Sequence, residues 1–504
     1  RATTRIQEVR MLRAGQFPED AGPMAHPVRP QSYMEIRNFY TMTVYEKGAE
    51  LVRMQHALLG EEKFQAGMKL YLARHDGRAV TCDDFVQAMQ DASGLDLSQF
   101  RRWYDVAGTP VLDCAGEYDE TRKRFALNVR QSMDPPFHIP LAVEVAGQQR
   151  MLSLQRREER FAFENVPQKP VPSLLRGFSA PVIVNYPYTG RELVHLMAHD
   201  SDPFNRWEAG QRLAADIILK KGGKPSEEFL DAARLLLAES ASDPAFAAEA
   251  LSLPSETFLA EQMSVVDPDA LHAARNALRR ALAAALKQDL LAAYRSLETP
   301  GLYSPDAKSA GRRALRNLAL GYLMELENPQ LIAQCHAQFA QADNMTDKMA
   351  ALGCLANCDC PQRAAALDAF YERWKDEPLV VDKWLAVQAT SRLPGTLARV
   401  KELLLHPAFD LKVPNKVYAL IRSFAANHVR FHRADGAGYA FIAEQVLALD
   451  RLNPQVAARM ARGFDRWRRF DAGRQAHARA ALERIRDADG LSRDVSEIVS
   501  KALG

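Results

Sequence analysis

The sequence predicts a multidomain, mainly α-helical protein in which a small β-sandwich separates a helical N-terminal segment from a long C-terminal α-superhelix. The chain has 504 residues, more than one hydrophobic core usually organises. Its apolar residues change from a helical period to alternation near Gly108-Thr109-Pro110, and the helical period returns after Gly190. The predicted domains are therefore residues 1–108, 109–188 and 189–504.

The composition indicates the class of protein but not its binding partners. Hydrophobic residues make up 47% and charged residues 25%, values typical of a globular protein and not of a disordered one. The net charge of +2 creates no large overall field. No apolar run approaches the roughly 18 residues of a spanning helix, so no membrane partner is expected.

The cysteines and the first residue give two further expectations. The six cysteines lack the paired spacing of small disulfide-bonded domains, which favours a reducing compartment. The chain begins at Arg1 without an initiator methionine or an apolar leader. We therefore expect a fragment or a processed chain.

Residues 1–108 are predicted to be helices joined by one long loop. Arg5 to Leu12 has helical character, whereas the prolines between Phe17 and Pro30 predict an irregular segment. The helical period returns from Tyr33. A further helix is expected to open near Thr81 or Asp83, either of which could serve as its N-cap.

The middle segment is predicted to be a compact β-sandwich. Apolar residues alternate with polar ones in several short runs separated by turn residues. These runs contain Phe125, Leu127 and Val129; Ile139, Leu141, Val143 and Val145; Phe161 and Phe163; and Val182, Val184 and Tyr186.

The last 300 or so residues are predicted to form successive amphipathic helices. Several helix starts place a capping side chain before a proline, a residue that the first helical turn tolerates. These pairs are Asp202-Pro203, Asp243-Pro244, Asp267-Pro268 and Ser304-Pro305. So many helices cannot share one core, and their irregular repeat length predicts a superhelix related to the HEAT or armadillo type.

The sequence lacks the common motifs of nucleotide-binding proteins and serine hydrolases. The sequence has no phosphate-binding loop, no G-x-G-x-x-G, no G-x-S-x-G, and no H-E-x-x-H among its twelve histidines. His195 and His199, like His428 and His432, have a metal-compatible spacing, but neither pair is followed by the carboxylate of a metalloprotease. We interpret both pairs as ordinary side chains on helix faces.

Two other clusters are also interpreted as having no binding role. Cys354, Cys358 and Cys360 could hold a soft metal, but no second ligand pair follows at zinc-ribbon spacing. The arginine-rich stretch from Arg451 to Arg486 is interspersed with acidic residues, which favours solvated helix faces over nucleic-acid binding. No nucleic-acid partner is expected.

One segment resembles a known family. The run NFYTMTVYEKGAE, from Asn38 to Glu50, resembles the segment of the bacterial aminopeptidase N family of gluzincins that carries a catalytic tyrosine. Similar landmarks follow in the family's order along the whole chain, including QFPEDAGPMAHPVRP from Gln16, FRRWY from Phe100 and NPQVA from Asn453. The resemblance implies the helical end of a thermolysin-like catalytic domain, a β-sandwich, and a superhelix that caps the active-site cavity.

The resemblance also implies specific residues. Tyr45 matches the catalytic tyrosine, whose phenol shares the charge of the transition state with zinc. Tyr40 and Glu46 flank it as candidate substrate-binding residues, and Arg459 looks like a cavity arginine that meets the far part of a peptide. The family binds one zinc ion through H-E-x-x-H and a later glutamate, so the ligands are expected upstream of Arg1 and no metal ligand is predicted here. Tyr418 departs from the basic residue of close relatives.

The resemblance therefore implies a zinc-dependent aminopeptidase that releases N-terminal amino acids from peptides in cytoplasmic peptide turnover. Its specificity is expected to be broad, favouring basic or small apolar first residues, and the protein is expected to be a monomer. This chain alone is expected to be inactive because it lacks the metal site. The alternative hypothesis is a non-catalytic helical scaffold that binds peptides or proteins.

Overall fold

The computed structural model describes residues 2–298, 301 and 303–504, except for the side chain of Arg37. The chain divides into two compact units, Arg1–Gly210 and Gln211–Gly504. The first unit contains the N-terminal helices and the β-sandwich, and the second is helical. The predicted fold class is confirmed.

The N-terminal part of the first unit is built from short helices around a buried apolar core that includes Leu51, Met54 and Trp103. Its α-helices are Ala2–Met11, Phe17–Asp20, Gly48–Leu59, Glu61–His75, Cys82–Ser93 and Arg102–Asp105, with a 3₁₀ turn at Ile36–Phe39. Two π-helical turns, Leu12–Gln16 and Thr43–Lys47, extend neighbouring α-helices.

In this segment the structure corrects one predicted loop and decides between two predicted helix caps. Phe17–Asp20 was predicted to be irregular but is a helical turn that continues the π-helical turn Leu12–Gln16 without a break. Irregular backbone begins only after Asp20. Thr81, rather than Asp83, caps the helix Cys82–Ser93 and forms a reciprocal capping box with Asp84.

The β-sandwich consists of seven strands in two sheets. They are β1 (Val111–Asp119), β2 (Arg124–Gln131), β3 (Ile139–Val145), β4 (Gln148–Leu154), β5 (Glu158–Phe163), β6 (Ser173–Leu174) and β7 (Ile183–Asn185). The sheets have the orders β5-β2-β1-β7 and β4-β3-β6. Alternate residues such as Leu127, Val129 and Leu141 are buried, as the alternation predicted. Strand β4, which the sequence did not indicate, pairs antiparallel with β3.

Two helices complete the first unit and lead into the second. They are Gly190–His199, capped by Thr189, and Pro203–Lys221, at whose start the Asp202 carboxylate accepts a hydrogen bond from the Phe204 N–H.

Further α-helices follow one another along the second unit and pack largely against their neighbours in sequence. They are Glu227–Glu239, Pro244–Ala250, Glu256–Ala260, Pro268–Ala285, Lys287–Ser296, Ala307–Leu323, Pro329–Gln341, Met345–Ala356, Pro361–Trp374, Pro378–Ala389, Thr396–Leu404, Pro414–Val417, Ser423–Ala425, His428–Phe431, Ala437–Asp450, Pro454–Ala461, Ala472–Arg486 and Arg493–Leu503. Shorter turns are 3₁₀ at Met324–Leu326, Arg462–Phe464 and Trp467–Arg469, and π-helical at Tyr418–Arg422.

Most predicted helix caps of this region are confirmed. Asp243 and Asp267 accept hydrogen bonds from backbone N–H groups of the helices that follow them. Ser304 was wrong as a cap: Asp306 caps Ala307–Leu323, and the Ser304 hydroxyl donates to the Asp306 carboxylate instead. The helix starts after Asp306, whose carboxylate accepts hydrogen bonds from the Lys308 and Ser309 N–H groups at 2.9 and 3.0 Å. The described helices include none with the length and apolar character needed to cross a bilayer.

Candidate functional site

The site predicted from the sequence centres on Tyr45, which lies on the π-helical turn Thr43–Lys47. The α-helix Gly48–Leu59 follows this turn without a break. The π-helical turn, which has one more residue than an α-helical turn, therefore lies at the start of that helix. The Tyr45 side chain is exposed, with 59% of its surface accessible, although it stands on a well-packed element. An exposed phenol on a firmly held turn is free to meet a ligand.

Tyr40 lies beside Tyr45. The two ring centroids are 6.5 Å apart with an interplanar angle of 26°, and Tyr40 is also exposed. The structure therefore brings these two predicted residues together into one exposed aromatic pair. Neighbouring aromatic faces of this kind offer apolar area with a polar hydroxyl at each edge.

The start of the tyrosine turn is held by the buried carboxylate of Glu19. Its Oε1 accepts a hydrogen bond from the Thr43 N–H at 2.8 Å and another from the Thr43 hydroxyl at 2.7 Å. Gln16 Nε2 donates to the same hydroxyl at 3.3 Å. Because Glu19, Thr43 and Gln16 are all buried, these bonds lie in a medium of low polarity, where they are strong.

The end of the same turn is held by a buried ion pair. Lys47 Nζ lies 2.9 Å from Asp20 Oδ2, and each side chain is only 1% exposed. Lys47 also donates to the Gly108 carbonyl at 2.8 Å, and the Thr109 hydroxyl donates to Asp20 Oδ2 at 2.9 Å. The pair therefore ties the tyrosine turn to the junction that precedes the β-sandwich.

The helix that continues from the turn has an anchor of its own. Glu50 is buried and accepts two hydrogen bonds from Arg5, at 2.6 and 2.7 Å, and two from Arg53, at 3.1 and 2.7 Å. Burial by itself works to raise the pKa of Glu50, but the hydrogen bonds and charges of Arg5 and Arg53 hold that pKa below its usual value of 4.5. The carboxylate is therefore ionised and fixed at neutral pH.

Sequence reasoning missed the residues that hold Tyr45. Glu19, Asp20, Thr43 and Lys47 all lie inside the two segments that resemble the aminopeptidase N family, yet nothing local marks them as buried. The sequence does contain a pair of carboxylates in a proline-rich segment and a lysine two residues after the tyrosine. Their pairing could be predicted only if it were known that these two segments are in contact.

Glu46, the other predicted neighbour of Tyr45, is half-buried. It follows Tyr45 on a helical turn, so its side chain leaves the backbone in a direction well apart from that of the phenol. Within the described part of the chain, no hydrogen bond or ion pair of the Glu46 carboxylate is found. As far as the described residues show, this carboxylate is therefore available to a cation.

Arg459 belongs to the second unit and lies on the helix Pro454–Ala461. It is exposed, and its Nη1 donates a hydrogen bond to the Tyr418 hydroxyl at 2.8 Å. This bond holds the Arg459 guanidinium against the Tyr418 side chain.

The other candidate clusters form no metal site within the described part of the chain. Across the described residues, no group of three or more His, Cys, Asp or Glu side chains is placed to hold a metal ion. His195 and His199 are exposed, and their ring centroids lie 5.3 Å apart. His428 and His432 lie 5.0 Å apart, and His432 Nδ1 is hydrogen-bonded to the Tyr439 hydroxyl.

Family models match the chain in three consecutive stretches. The model described as "Peptidase family M1 domain" matches residues 3–104. The model described as "Domain of unknown function (DUF3458) Ig-like fold" matches residues 108–187. The model described as "Domain of unknown function (DUF3458_C) ARM repeats" matches residues 190–504, more than half of the chain.

Individual relatives agree with these matches. The chain is 41% identical to aminopeptidase N of Escherichia coli (strain K12) and 42% identical to aminopeptidase N of Caulobacter vibrioides, over 100% of its own length. It spans 61% of the length of each of these relatives. The crystal structure of Legionella pneumophila aminopeptidase A in complex with aspartic acid matches with a TM-score of 0.89 and 32% identity, covering 95% of this chain and 58% of that one.

Proposed function

Because the chain belongs to the aminopeptidase N family of M1 peptidases, we propose that the full enzyme is a zinc-dependent hydrolase that releases N-terminal amino acids from peptides. The observation that carries this proposal is the exposed phenol of Tyr45 on a turn held at both ends by buried side chains. A hydrogen-bond donor of fixed position is what stabilisation of a transition state requires.

Tyr45 is proposed as a catalytic residue. When water attacks the carbonyl of the first peptide bond, negative charge develops on the carbonyl oxygen, and the Tyr45 O–H donates a hydrogen bond to it. The Glu19 and Lys47 anchors keep the donor in place, which spares reorganisation during the reaction.

Zinc is proposed as the cofactor of the full enzyme, because the M1 family to which the chain is matched is generally zinc-dependent. When bound, zinc activates water and polarises the carbonyl. The described residues of this chain do not fit a zinc site, since no suitable ligand group occurs among them. We propose that the ligands lie N-terminal to Arg1, and this chain by itself is expected to be inactive.

Three further residues are proposed to bind substrate. Tyr40, stacked beside Tyr45, offers an aromatic face to the first side chain of the peptide. Glu46 offers a carboxylate to cationic groups. Arg459, an exposed guanidinium, offers a charge to the far, carboxylate end of a peptide. A broad preference that includes basic and small apolar first residues fits this mixture of groups.

The remaining proposals concern the context of the enzyme. We propose three domains, residues 1–108, 109–188 and 189–504, a monomeric state, and peptide turnover in the cytoplasm. The cytoplasmic location is supported by the six cysteines, all of which carry free thiols.

The test is the Tyr45→Phe variant of the full-length enzyme, assayed with amino-acid p-nitroanilides. We expect kcat to fall about 10²- to 10³-fold, because one oxyanion donor is lost, while KM changes little. The wild-type enzyme should lose activity on dialysis against a zinc chelator and regain it when zinc is restored.

Tyr33→Phe is the matched control, because Tyr33 is also exposed but lies before the tyrosine turn. It should leave kcat unchanged. If Tyr45→Phe keeps wild-type kcat, Tyr45 is not the donor. If the wild-type full-length protein hydrolyses no peptide with zinc present, the enzyme proposal fails and the peptide-binding scaffold takes its place.

A further inference from the structure

The second unit contains a cavity of about 620 Å³ whose use the peptidase proposal does not explain. This volume falls within the range of small-molecule pockets. The wall combines apolar side chains, among them Leu318, Met324 and Met349, with three arginines. A cavity with apolar walls and a few converging polar groups has the character of a ligand site.

Of the three arginines, Arg279 and Arg392 are paired. Arg392 Nη2 lies 2.6 Å from Glu325 Oε1, and Arg279 Nε lies 3.3 Å from the same oxygen. Arg392 also donates to Asn276 Oδ1 at 3.3 Å, and Arg279 donates to the Gly321 carbonyl at 3.0 Å. These two guanidinium groups have their principal acceptors within the protein.

Arg275 is the exception. Its Nε donates to the Pro254 carbonyl at 2.8 Å, but among the described residues neither terminal nitrogen has a hydrogen-bond acceptor or a carboxylate within ion-pairing distance. The nearby Glu256 is engaged with His272 at 2.6 Å. Arg275 therefore presents an unpaired planar fork of donors to the cavity.

The surroundings disfavour this charge in the absence of a ligand. Burial lowers the pKa of Arg275, and the positive charges of Arg279 and Arg392 act in the same direction, against the opposing effect of Glu256. A partly desolvated guanidinium beside two others gains from a bound anion. The His428 ring faces the same cavity, and its Nδ1 is buried without a hydrogen-bond partner among the described atoms.

We propose that this cavity binds a small organic carboxylate of the size of an amino acid or a dipeptide, with the carboxylate on the Arg275 fork and the apolar part against Leu318, Met324 and Met349. A guanidinium matches a carboxylate through two parallel hydrogen bonds. The two terminal nitrogens of Arg275 match the two oxygens of one carboxylate, whereas inorganic phosphate leaves the apolar wall uncovered. The inference concerns the second unit alone and holds whether or not the full enzyme is a peptidase.

The test measures binding to the 504-residue chain by isothermal titration calorimetry. The probes are N-acetyl-leucine, its amide, which lacks the carboxylate, and inorganic phosphate. We expect the acid to bind at least about tenfold more tightly than the amide, because a charge-assisted pair is lost. Phosphate should bind more weakly than the acid.

Two variants locate the binding. Arg275→Gln should weaken binding of the acid at least about tenfold, whereas Arg280→Gln, which alters an exposed arginine of the same helix, should leave it unchanged. Gly353→Phe places a ring in the cavity and should abolish binding without touching Arg275. A Cβ at Gly353 meets only Val387 Cγ2, at 4.0 Å, and helix propensity favours the change.

The proposal is overturned if the acid does not bind the wild-type chain, if acid and amide bind equally, or if phosphate binds more tightly than the acid. It is also overturned if both Arg275→Gln and Gly353→Phe retain wild-type affinity. Should Arg275→Gln fail to fold, Gly353→Phe alone decides the location.

Discussion

At the scale of single residues, the proposed chemistry of Tyr45 depends on side chains that themselves need not react. Glu19 holds the Thr43 N–H and hydroxyl at the start of the tyrosine turn, and Lys47 pairs with Asp20 at its end. Each of these groups is buried, so each bond is shielded from water and from competing partners. The phenol can therefore be exposed and yet keep a fixed position.

The first prediction follows from Glu19. In the full-length enzyme, Glu19→Gln keeps the size of the side chain but weakens its two hydrogen bonds with Thr43. We expect kcat to fall about 10- to 100-fold because the phenol shifts from its position, while KM changes much less. Steady-state kinetics with an amino-acid p-nitroanilide measures both constants.

The control for this prediction is Glu62→Gln, since Glu62 is exposed on the next helix. It should leave both constants unchanged. The double variant Glu19→Gln, Tyr45→Phe should be scarcely slower than Tyr45→Phe alone. An additive loss would mean that Glu19 acts on something other than the phenol.

A second residue-scale prediction concerns His432, which is buried in the second unit. Burial, followed by the charges of His428 and Arg474, lowers the pKa of His432 well below 6.5. The folded state therefore keeps this ring neutral while the unfolded state binds a proton below about pH 6.5. Because the unfolded state binds more protons there, the free energy of unfolding falls as pH decreases, by up to about 1.4 kcal/mol per pH unit.

Urea unfolding of the 504-residue chain at pH 7 and at pH 5 measures this effect. His432→Gln keeps a hydrogen-bonding partner for Tyr439 but cannot titrate, so the difference in stability between the two pH values should shrink. His477→Gln, at an exposed histidine of the same unit, should leave the difference unchanged. An unaltered pH dependence in His432→Gln would contradict the assignment.

At the scale of elements, helix starts show how local chemistry places an element. Thr81 and Asp84 form a reciprocal capping box at the start of Cys82–Ser93, and Thr189 and Glu192 repeat it at Gly190–His199. Each box satisfies orphan N–H groups with side chains three residues apart. Such a device works without distant partners, which is why the sequence can reveal it.

Thr81→Ala tests this device. The variant should lower the free energy of unfolding by about 1 kcal/mol, because the Asp84 N–H loses its acceptor and the helix start frays. Chemical denaturation of the 504-residue chain provides the measurement. Thr4→Ala, at an exposed position inside Ala2–Met11, should be neutral or slightly stabilising because alanine favours helix. Equal losses in the two variants would contradict the capping role.

At the scale of the whole molecule, residues 1–108 depend on residues beyond them. Trp103 packs on Phe137 with ring centroids 4.7 Å apart, and its indole N–H donates to the His138 carbonyl. Arg5 and Arg53 both donate to the Phe178 carbonyl. These contacts belong to the β-sandwich, so the N-terminal helices lack part of their packing when the sandwich is removed.

We accordingly expect residues 1–108 to be poorly folded when expressed as a separate fragment. Hydrogen exchange should show rapid exchange of the amides in Gly48–Leu59 in the fragment and slow exchange of the same amides in the 504-residue chain. The helix Ala472–Arg486, measured in the full chain, provides a protected reference. A cooperative melt with full amide protection in the fragment would contradict this expectation.

The sequence by itself determined the class of fold and the position of the tyrosine. Alternation between Phe125 and Val129 predicted strand β2, and the aspartates before Pro244 and Pro268 predicted helix starts, because these signals lie within a few residues of each other. Tyr45 was identified by its resemblance to a family segment, and its role stays a prediction. Strand β4 was missed because only Leu152 and Leu154 of its residues are buried.

Only the tertiary structure decided which side chains surround the tyrosine and which line the cavity of the second unit. Glu19 meets Thr43 across 24 residues, Lys47 meets Asp20 across 27, and Arg392 meets Glu325 across 67. No local pattern encodes such a pair, because burial of a carboxylate or a lysine is favourable only once its distant partner is in place. For the same reason the sequence does not indicate Arg275, since a guanidinium without a partner can be identified only when all its neighbours in space are known.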